Sequence, residues 1–592
     1  MSNTPKKKSA NNSKTSGRTA GRKTKTVSTR RPLEGSASLP ANWMLRRWKD
    51  ELTGQHFLEI KFPDDLRCNN TLEVDYAYVD RIPEIVRLLR GRGAIMPLGA
   101  KEGAAFVGEL IEHLPKDVHR KVALPGWHGD DFVLPMRTIG PSAGKLKLAD
   151  ATLSKSTVGG KTGDIEAWKS QVAIHGCSSS YIAFCIMVAL AAPLRKFANL
   201  PEGAVFNLSG GSGVGKTTAL KCAVSVNGNP DNLADYNATG LSLEELAAAH
   251  NDLLLPLDDT EKARLRDVTE LLDKVSHVLP SGRPRQHSRF FAGSQVAPSL
   301  RWRSIGLSSS PRALDKIYED SNRLRTDGQK VRLVDIPVLT SGSLGIFDRV
   351  DGDEAEAERT TDRILHELEA SLAGNHGNMI SAWVKHLASS KLEKRTQSLI
   401  DSFVKKVVPT GTGVEKRLAR KFGLVGAAGI IAVKADLLPW DEKLVRDVTV
   451  KMFTAARTSA FAKKITLATM RKRLLKSLSD GSAVPEVEVG RVFSSEPAEL
   501  EIFTTTRRGV RVLALAERGL TKFAGSEGGS KRLLADLLAS GALLGGHGGK
   551  KTEQFVFKIE PPGKRKRTYK PRFYAFGLAP VTAYLNSQSP QT

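Results

Sequence analysis

Residues 204–218 read AVFNLSGGSGVGKTT: a short apolar run, a glycine-rich turn and the opening of a helix. Gly210, Gly215, Lys216 and Thr217 fit G-x-x-x-x-G-K-[ST], and the apolar run before the turn and the helical residues after it supply the strand and helix this motif requires. The glycines let successive backbone N–H groups turn inward around phosphate oxygens, where a Cβ would obstruct, and the helix N-terminus adds partial positive charge. Lys216 is thereby placed to meet the β- and γ-phosphates of a nucleoside triphosphate, and the Thr217 hydroxyl to sit on Mg²⁺. The expected nucleotide-binding set is Gly210, Gly211, Ser212, Gly213, Val214, Gly215, Lys216, Thr217 and Thr218, with ATP and Mg²⁺ as ligands.

Three stretches further along bear on the same site. LSLEELAAAHND (residues 241–252) opens with Ser242 and Glu245 at capping-box spacing, which predicts a helix start. The apolar run that follows ends in Asp258 and Asp259, 42 residues past Lys216. The first acid suits the Mg²⁺ shell, and the second suits orienting or deprotonating the attacking water. Pro256 inside this run works against a central strand, since it removes a ladder donor. WRSIGL (residues 302–307) predicts another strand, and Ser308 or Ser309 just beyond it would suit sensing a γ-phosphate; a Ser-rich turn is the competing reading. VRLVDIP (residues 331–337) places Arg332 in a short apolar strand, where a cation is unusual unless an anion meets it.

The ordered set ATG (238–240), LEELAAAHND (243–252), LPLDD (255–259), LSSS (307–310) and VRLVDIP resembles the bacterial family known as domain of unknown function 927. GWHGDDFVLP upstream, and NHGNMISAWVKHLA and KFGLVGAAGIIAV downstream, extend the resemblance over most of the chain from about residue 39. It implies a P-loop ATPase core of the AAA+ or superfamily-three-helicase type, related to hexameric replicative helicases and often encoded on mobile genetic elements. The family's acid pair commonly ends in Asp-Glu, whereas Asp259 is one methylene shorter. Its polar strand end often continues into Gly-Glu, and Ser310-Pro311 does not. A ring, expected to be hexameric, would set Arg332 against a neighbouring subunit's nucleotide; a structural pairing with Asp335 is the other reading, and Arg323 and Arg325 lie nearby.

The rest of the chain divides around this core. A length of 592 residues implies roughly three or four domains. A basic stretch at residues 1–38, free of acids through Arg31, holds six Lys and four Arg within its first 31 residues and too few apolar groups to fold, so it reads as a disordered tail: a tether on nucleic acid or a solubiliser. Residues 39–155 predict an α/β module with strands at 57–62 and 71–79, helices at 82–90 and 104–114, and a hairpin in VALPGWHGDDFVLP. His128, Asp130 and Asp131 there read as turn residues rather than metal ligands. A Gly- and Ser-containing linker at 154–163 leads to the ATPase domain, 164–344. A helical domain, 345–480, follows, then a winged-helix-like module, 485–592, with a strand at 510–515 and a helix at 530–540.

Net charge is +26, which favours a polyanionic partner. Arg283, Arg285 and Arg289 form a basic turn. Lys564, Arg565, Lys566 and Arg567 open KRKRTYKPR, where the tyrosine adds a ring that can stack on bases. The partner expected is DNA, single-stranded or forked. The apolar run IAFCIMVALAAP (182–193) is shorter than a membrane span and ends in proline, so it predicts a buried helix. Four scattered cysteines without a C-x-x-C pair, and an N-terminus lacking a signal-peptide apolar segment, suit the cytoplasm. These features predict an ATP-dependent DNA helicase or translocase. The alternative is a nucleic-acid-binding ATPase switch or assembly factor that does not unwind, for example in phage defence.

Overall fold

The computed structural model describes residues 42–66, 68–150, 158–236, 240–260, 268–283, 301–321, 323–338, 344–350, 354–461, 467–481, 484–488, 492–493, 501–524, 527–544, 551–560 and 567–587. The chain forms two units: Met1–Arg47 with Phe57–Asp117, and Trp48–His56 with Val118–Thr592. The basic tail at 1–38 lies outside the described residues, as do Arg285, Arg289, Lys564, Arg565 and Lys566.

In the first unit, β1 (Met44–Asp50) belongs as far as Arg47, and β2 (His56–Pro63) pairs antiparallel with β3 (Asn69–Asp75). Strand alternation turns Leu58, Ile60 and Phe62 inward to meet Ile85, Val86 and Leu89 of α1 (Ile82–Gly91) and Val107 and Leu110 of α2 (Ala100–Glu112). β3 stops short of the expected residue 79 because the Asp75 carboxylate accepts the Ala77 N–H at 2.9 Å and bends the chain into a 3-10 turn.

The second unit claims more of the expected N-terminal module than the sequence indicated. β4 (Val118–Val122) pairs in parallel with β8 (Leu146–Leu148). Between them β5 (Gly126–His128), β6 (Asp131–Leu134) and β7 (Arg137–Ile139) form an antiparallel meander. Gly-Trp-His is itself a strand here, and the turn is Gly129–Asp130, with Gly129 at φ +65°. Trp127, Phe132, Leu134 and Ile139 enter the core that surrounds the glycine loop, so the boundary expected at 155 falls at 117. Of the expected linker, residues 158–163 pack: Thr162 and His376 exchange backbone hydrogen bonds at 3.0 and 3.1 Å.

Asp164 caps α3 (Ile165–Gln171) through the Ala167 N–H. α4 (Ser180–Leu194) follows and buries every one of its residues. Extended to Phe197 it is long and apolar enough to cross a bilayer, yet it lies 89% buried inside the fold. Pro193 stays within the helix, and two indoles complete its carbonyls: Trp127 Nε1 donates to Pro193 O at 3.0 Å and Trp383 Nε1 to Leu190 O at 2.9 Å.

The central sheet is built from β9 (Val205–Ser209), β10 (Ala234–Asp235), β11 (Leu254–Asp258), β12 (Ile305–Ser310) and β13 (Leu333–Pro337). All are parallel, in the order β10-β11-β12-β9-β13. The connecting helices are α5 (Lys216–Asn227), α6 (Gly240–Ala249), α7 (Val268–Ser281), α8 (Leu314–Asp320) and α9 (Asp327–Arg332). Burial on both faces accounts for strands that read as unbroken apolar runs. Pro256 is accommodated in β11 because β10 pairs only with Leu257 and Asp258, one residue further on. α6 begins at Gly240, so Ser242 lies in its first turn and not at the cap.

Downstream come α10 (Glu354–Gly374), α11 (Met379–Ala388), α12 (Glu393–Val407), α13 (Gly413–Lys434) and α14 (Glu442–Phe461). They do not build a separate core. Phe422 of α13 packs against Phe184 of α4, Phe206 of β9 and Phe453 of α14 with ring centroids 5.5, 5.2 and 5.6 Å apart. The boundary expected at 344 is therefore a change of secondary structure within one core.

α15 (Leu467–Asp480) joins the C-terminal module instead. There β14 (Val492–Phe493), β15 (Ile502–Arg507), β16 (Val510–Leu515), α16 (Thr521–Ala524), α17 (Glu527–Ala539), β17 (Glu553–Gln554), β18 (Phe557–Ile559), β19 (Arg567–Tyr569), β20 (Arg572–Gly577) and α18 (Leu578–Ser587) form two sheets, β15-β16-β20-β17 and β14-β18-β19, beside the helices. The stretch 553–560 holds two strands, because the chain changes sheets between Gln554 and Phe557. One face of β15-β16-β20 carries Ile502, Leu513 and Phe576 to the helices; the other carries Phe503 and Phe573 to Phe555 and Phe557.

Candidate nucleotide site

The C-terminal ends of β9, β11 and β12 meet around the glycine loop, where open parallel sheets present ligand sites. Gly213 and Gly215 take φ +80° and +91°, conformations that side chains disfavour, and a Cβ on Gly215 would also lie 3.0 Å from the Ile346 side chain. α5 starts at Lys216, so its unpaired N–H groups face the loop. Lys216 Nζ donates to Gly210 O at 2.8 Å and Gly211 O at 2.6 Å, closing the loop on itself. Burial lowers the Lys216 pKa, opposed by the negative charges of Asp259 and Asp258.

Thr217 Oγ1 donates to Asp258 Oδ1 at 3.3 Å, and Ser309 Oγ donates to the same oxygen at 2.8 Å. Ser309 Oγ in turn accepts the Asp259 N–H at 3.1 Å, so one hydroxyl holds both acids of the pair. Asp259 has φ +55°, a left-handed turn that Asp tolerates better than most residues and that ends β11 at the cavity. The serines expected just beyond the strand are the last residues of β12, all buried, and the strand sits between β9 and β11. Alternation puts the two sensor candidates on opposite faces of the strand. Ser308 points away, donating to Asn207 Oδ1 at 3.0 Å and lying 2.5 Å from the Tyr236 hydroxyl, while Ser309 faces the acids.

A cavity of about 320 Å³ opens here, lined by Ser212, Lys216, Thr217, Asp259, Ser309 and Leu365 among others. A hydroxyl and a buried carboxylate side by side at the mouth of a glycine cradle fit a hydrated Mg²⁺ bridged to phosphate, which takes one or two carboxylates and keeps most of its waters.

Several residues that complete this region left no trace in the sequence. Glu369 of α10 accepts from Thr218 Oγ1 at 3.1 Å and Lys221 Nζ at 2.6 Å, tying α10 to the loop helix. Asn207 Nδ2 donates to Ser310 Oγ and Asp335 Oδ1, at 2.8 and 2.9 Å, locking β9 to both neighbours. The partners stand far apart in the chain, and no local spacing announces them. His-Asn-Asp at the end of LEELAAAHND is architectural. Asp252 accepts the Trp127 N–H at 3.0 Å and both Arg303 donors at 2.7 Å, while Asn251 Nδ2 donates to Pro125 O at 2.7 Å.

Arg332 is placed differently from its expected strand. It ends α9, with β13 starting one residue later, and its Nε donates to Glu202 at 2.8 Å, not to Asp335. It lies at the edge where the strands begin, away from its own chain's glycine loop. Arg283 is exposed just past α7; Arg567 opens β19, and nothing is described of its side chain.

Residues 84–287 match the family described as "Domain of unknown function (DUF927)". No match was found among curated proteins by sequence. A solved structure described as "SCCmec type IV Cch - active helicase" superposes with a TM-score of 0.52 at 14% identity, covering 92% of this chain and 94% of that one. At that identity the likeness concerns the fold, and it runs nearly end to end. The chain therefore holds a DUF927-like segment, spanning the glycine loop and the acid pair, within a fold similar to that of the solved helicase.

Proposed function

We propose that this chain is an ATP hydrolase acting on DNA as a helicase or translocase of a mobile genetic element, active as a ring. The observation that carries the reading is the hydroxyl–carboxylate chain from Thr217 through Asp258 and Ser309 to Asp259 at the rim of the glycine loop. Lys216 gives up its two loop carbonyls to neutralise the β- and γ-phosphates; the loop N–H groups fix the phosphate chain. Thr217 and Asp258 would hold Mg²⁺, which when bound would supply positive charge against the developing charge of the phosphates. Asp259 orients and deprotonates the attacking water, and Ser309 keeps the two acids in register. Likeness of fold to a protein described as an active helicase supports the choice of unwinding over a simple switch. The net charge of +26 supports DNA, contacted by Arg283, Arg285, Arg289 and the basic run from Lys564 to Arg567 in a winged-helix-like module. Arg332 reaches a neighbouring subunit's nucleotide, and the ring works in the cytoplasm.

The test is ATP turnover with and without single-stranded DNA, unwinding of a forked duplex, and mass in solution. DNA-stimulated turnover with unwinding by an oligomer is the expected result. Turnover without unwinding would leave an ATPase switch or assembly factor, and no turnover at all would end the reading.

A further inference from the structure

The last three long helices before the C-terminal module leave a groove between them. α13 runs antiparallel to α12, with Gly423 beside Ile400 and Glu415 near Val407, and antiparallel to α14, with Gly426 beside Thr449 and Gly429 beside Val445. α12 and α14 therefore run parallel to each other along the two flanks of α13. Small residues let them come in close: a Cβ on Gly423 would lie 3.2 Å from the Ile400 Cα, and one on Gly426 3.0 Å from Thr449 Oγ1. The flanking helices meet across the groove where Phe403 stands edge-on to Phe453, ring centroids 5.8 Å apart.

On one side of that aromatic pair lies a cavity of about 180 Å³, walled by Leu399, Phe403 and Val450 and floored by Ala427 and Ile430. On the other lies one of about 510 Å³, walled by Val407, Phe453 and Phe461. Along α14 the first is lined by residues 446–450 and the second by 450–461, so their centres stand roughly seven residues, or about 10 Å, apart. That is two helical turns, the spacing of side chains i and i+7 on a helix laid along the groove. A seam between two parallel helices is also where a helical bundle accepts one more member. Charge selects the kind of helix. Lys406, Arg446 and Arg457 border the groove against one carboxylate, Glu415, which the Thr412 N–H and Arg457 already hold. Arg446 is 49% exposed and meets Glu442 at 3.0 Å through one nitrogen; Lys406 is exposed, with no ion pair among the described residues. An acidic polar face complements this border and a basic one is repelled by it. Nucleic acid would satisfy the border too, but bases with polar edges suit cavities of Leu, Phe and Val poorly.

We propose that the groove between α12 and α14 docks an acidic amphipathic helix of a partner protein, which inserts bulky apolar side chains two turns apart into the two cavities and sets carboxylates against Lys406 and Arg446. None of these residues belongs to the nucleotide site or to the DNA contacts named above, so the inference stands apart from that reading. The probe is a dye-labelled synthetic peptide of about 18 residues, long enough to span the groove as a helix. Its apolar face carries Leu, Phe or Trp at i and i+7, in three versions, and its polar face carries Glu. Titrated with the full chain and followed by fluorescence anisotropy, at least one version should bind saturably. Its twin with Lys in place of Glu should bind at least about tenfold more weakly, and Lys406→Glu should narrow or invert that preference. Ser402→Trp and Thr454→Trp each fill one cavity from an exposed position on its wall, and each should weaken binding at least about tenfold while the melting temperature holds. No saturable binding by any of the three versions, or binding indifferent to both tryptophan variants, overturns the proposal. So does a change in solution mass on Ser402→Trp, which would make the occupant a second copy of this chain. A Lys406→Glu effect confined to DNA binding, seen as a reduced salt slope, overturns it as well and gives the groove to nucleic acid.

Discussion

The two edges of the central sheet solve opposite electrostatic problems. Where the strands end, two carboxylates, one lysine and a ring of backbone N–H groups border an open cavity, and the charged groups hold one another loosely through a serine and loop carbonyls. Where they begin, charge is pinned: Asp252, fully buried, is gripped by both donors of Arg303, and Glu202 by three cations. A parallel sheet makes this division natural, since its helices start at one edge, offering N–H groups to anions, and end at the other. The lesson is that polar residues at the outgoing edge are poised for exchange with a ligand, whereas Asp252 at the incoming edge holds the architecture.

The sharpest way to break that distinction is Lys216→Ala. Losing the charge that meets the phosphates should cut turnover by at least about 10²-fold with little change in melting temperature. Asp259→Asn should match it in turnover while nucleotide binding persists, whereas Asp258→Asn should weaken Mg²⁺-dependent binding itself. A reversal between the two would exchange their roles. At the incoming edge Asp252→Ala should do the opposite, costing about 2–4 kcal/mol of stability by leaving Arg303 and the Trp127 N–H unpaired, discounted for the exposure of the arginine. Chemical denaturation would read this, and an unchanged midpoint would deny the pair its architectural role.

A smaller effect is expected from Ser309→Ala. It removes one hydroxyl that holds both acids, for about a tenfold loss in kcat, while Ser308→Ala, facing Asn207 and Tyr236, should spare kcat. Equal losses would mean that the strand's packing matters and not its facing. The smallest effect is acid sensitivity at Glu202. Burial alone would raise its pKa, but nearby Lys421 and the bonds from Arg417, Arg332 and Lys421 bring it to about 2, from an ordinary 4.5. A depressed carboxylate pKa stabilises the fold above its unfolded value, and the gain is lost as pH falls from about 4.5 towards 2. Melting temperatures of wild type should therefore fall more steeply over that window than those of Glu202→Gln.

The sequence showed the outgoing edge well and the incoming edge badly, for a physical reason. Phosphate cradles are built from consecutive backbone groups, so Gly210 to Thr217 are contiguous, and strand ends carry Asp258 and Ser309 at positions that apolar runs mark. Even there the choice of Ser309 over Ser308 needed the alternation of a strand that extends to Ser310. The cluster on Glu202 draws on positions 332, 417 and 421, which only tertiary packing brings together. Arg332 misled for a related reason: Val331 and Leu333 flank it as in a strand, but the chain turns from helix to strand between Arg332 and Leu333. Domain edges were misjudged wherever apolar residues from distant segments share one core, as Trp127 and Phe422 do.

The all-buried helix α4 has a consequence for biosynthesis. It leaves the ribosome well before its lid, since α13 begins at Gly413, about 220 residues later, and at roughly 5–20 residues per second about 10–40 s pass before that partner emerges. During that interval a greasy segment able to mimic a bilayer span stands half-covered, a target for chaperones or for the insertion machinery. Nascent chains arrested before residue 413 should accordingly pellet or be captured, and those arrested beyond α14 should stay in solution.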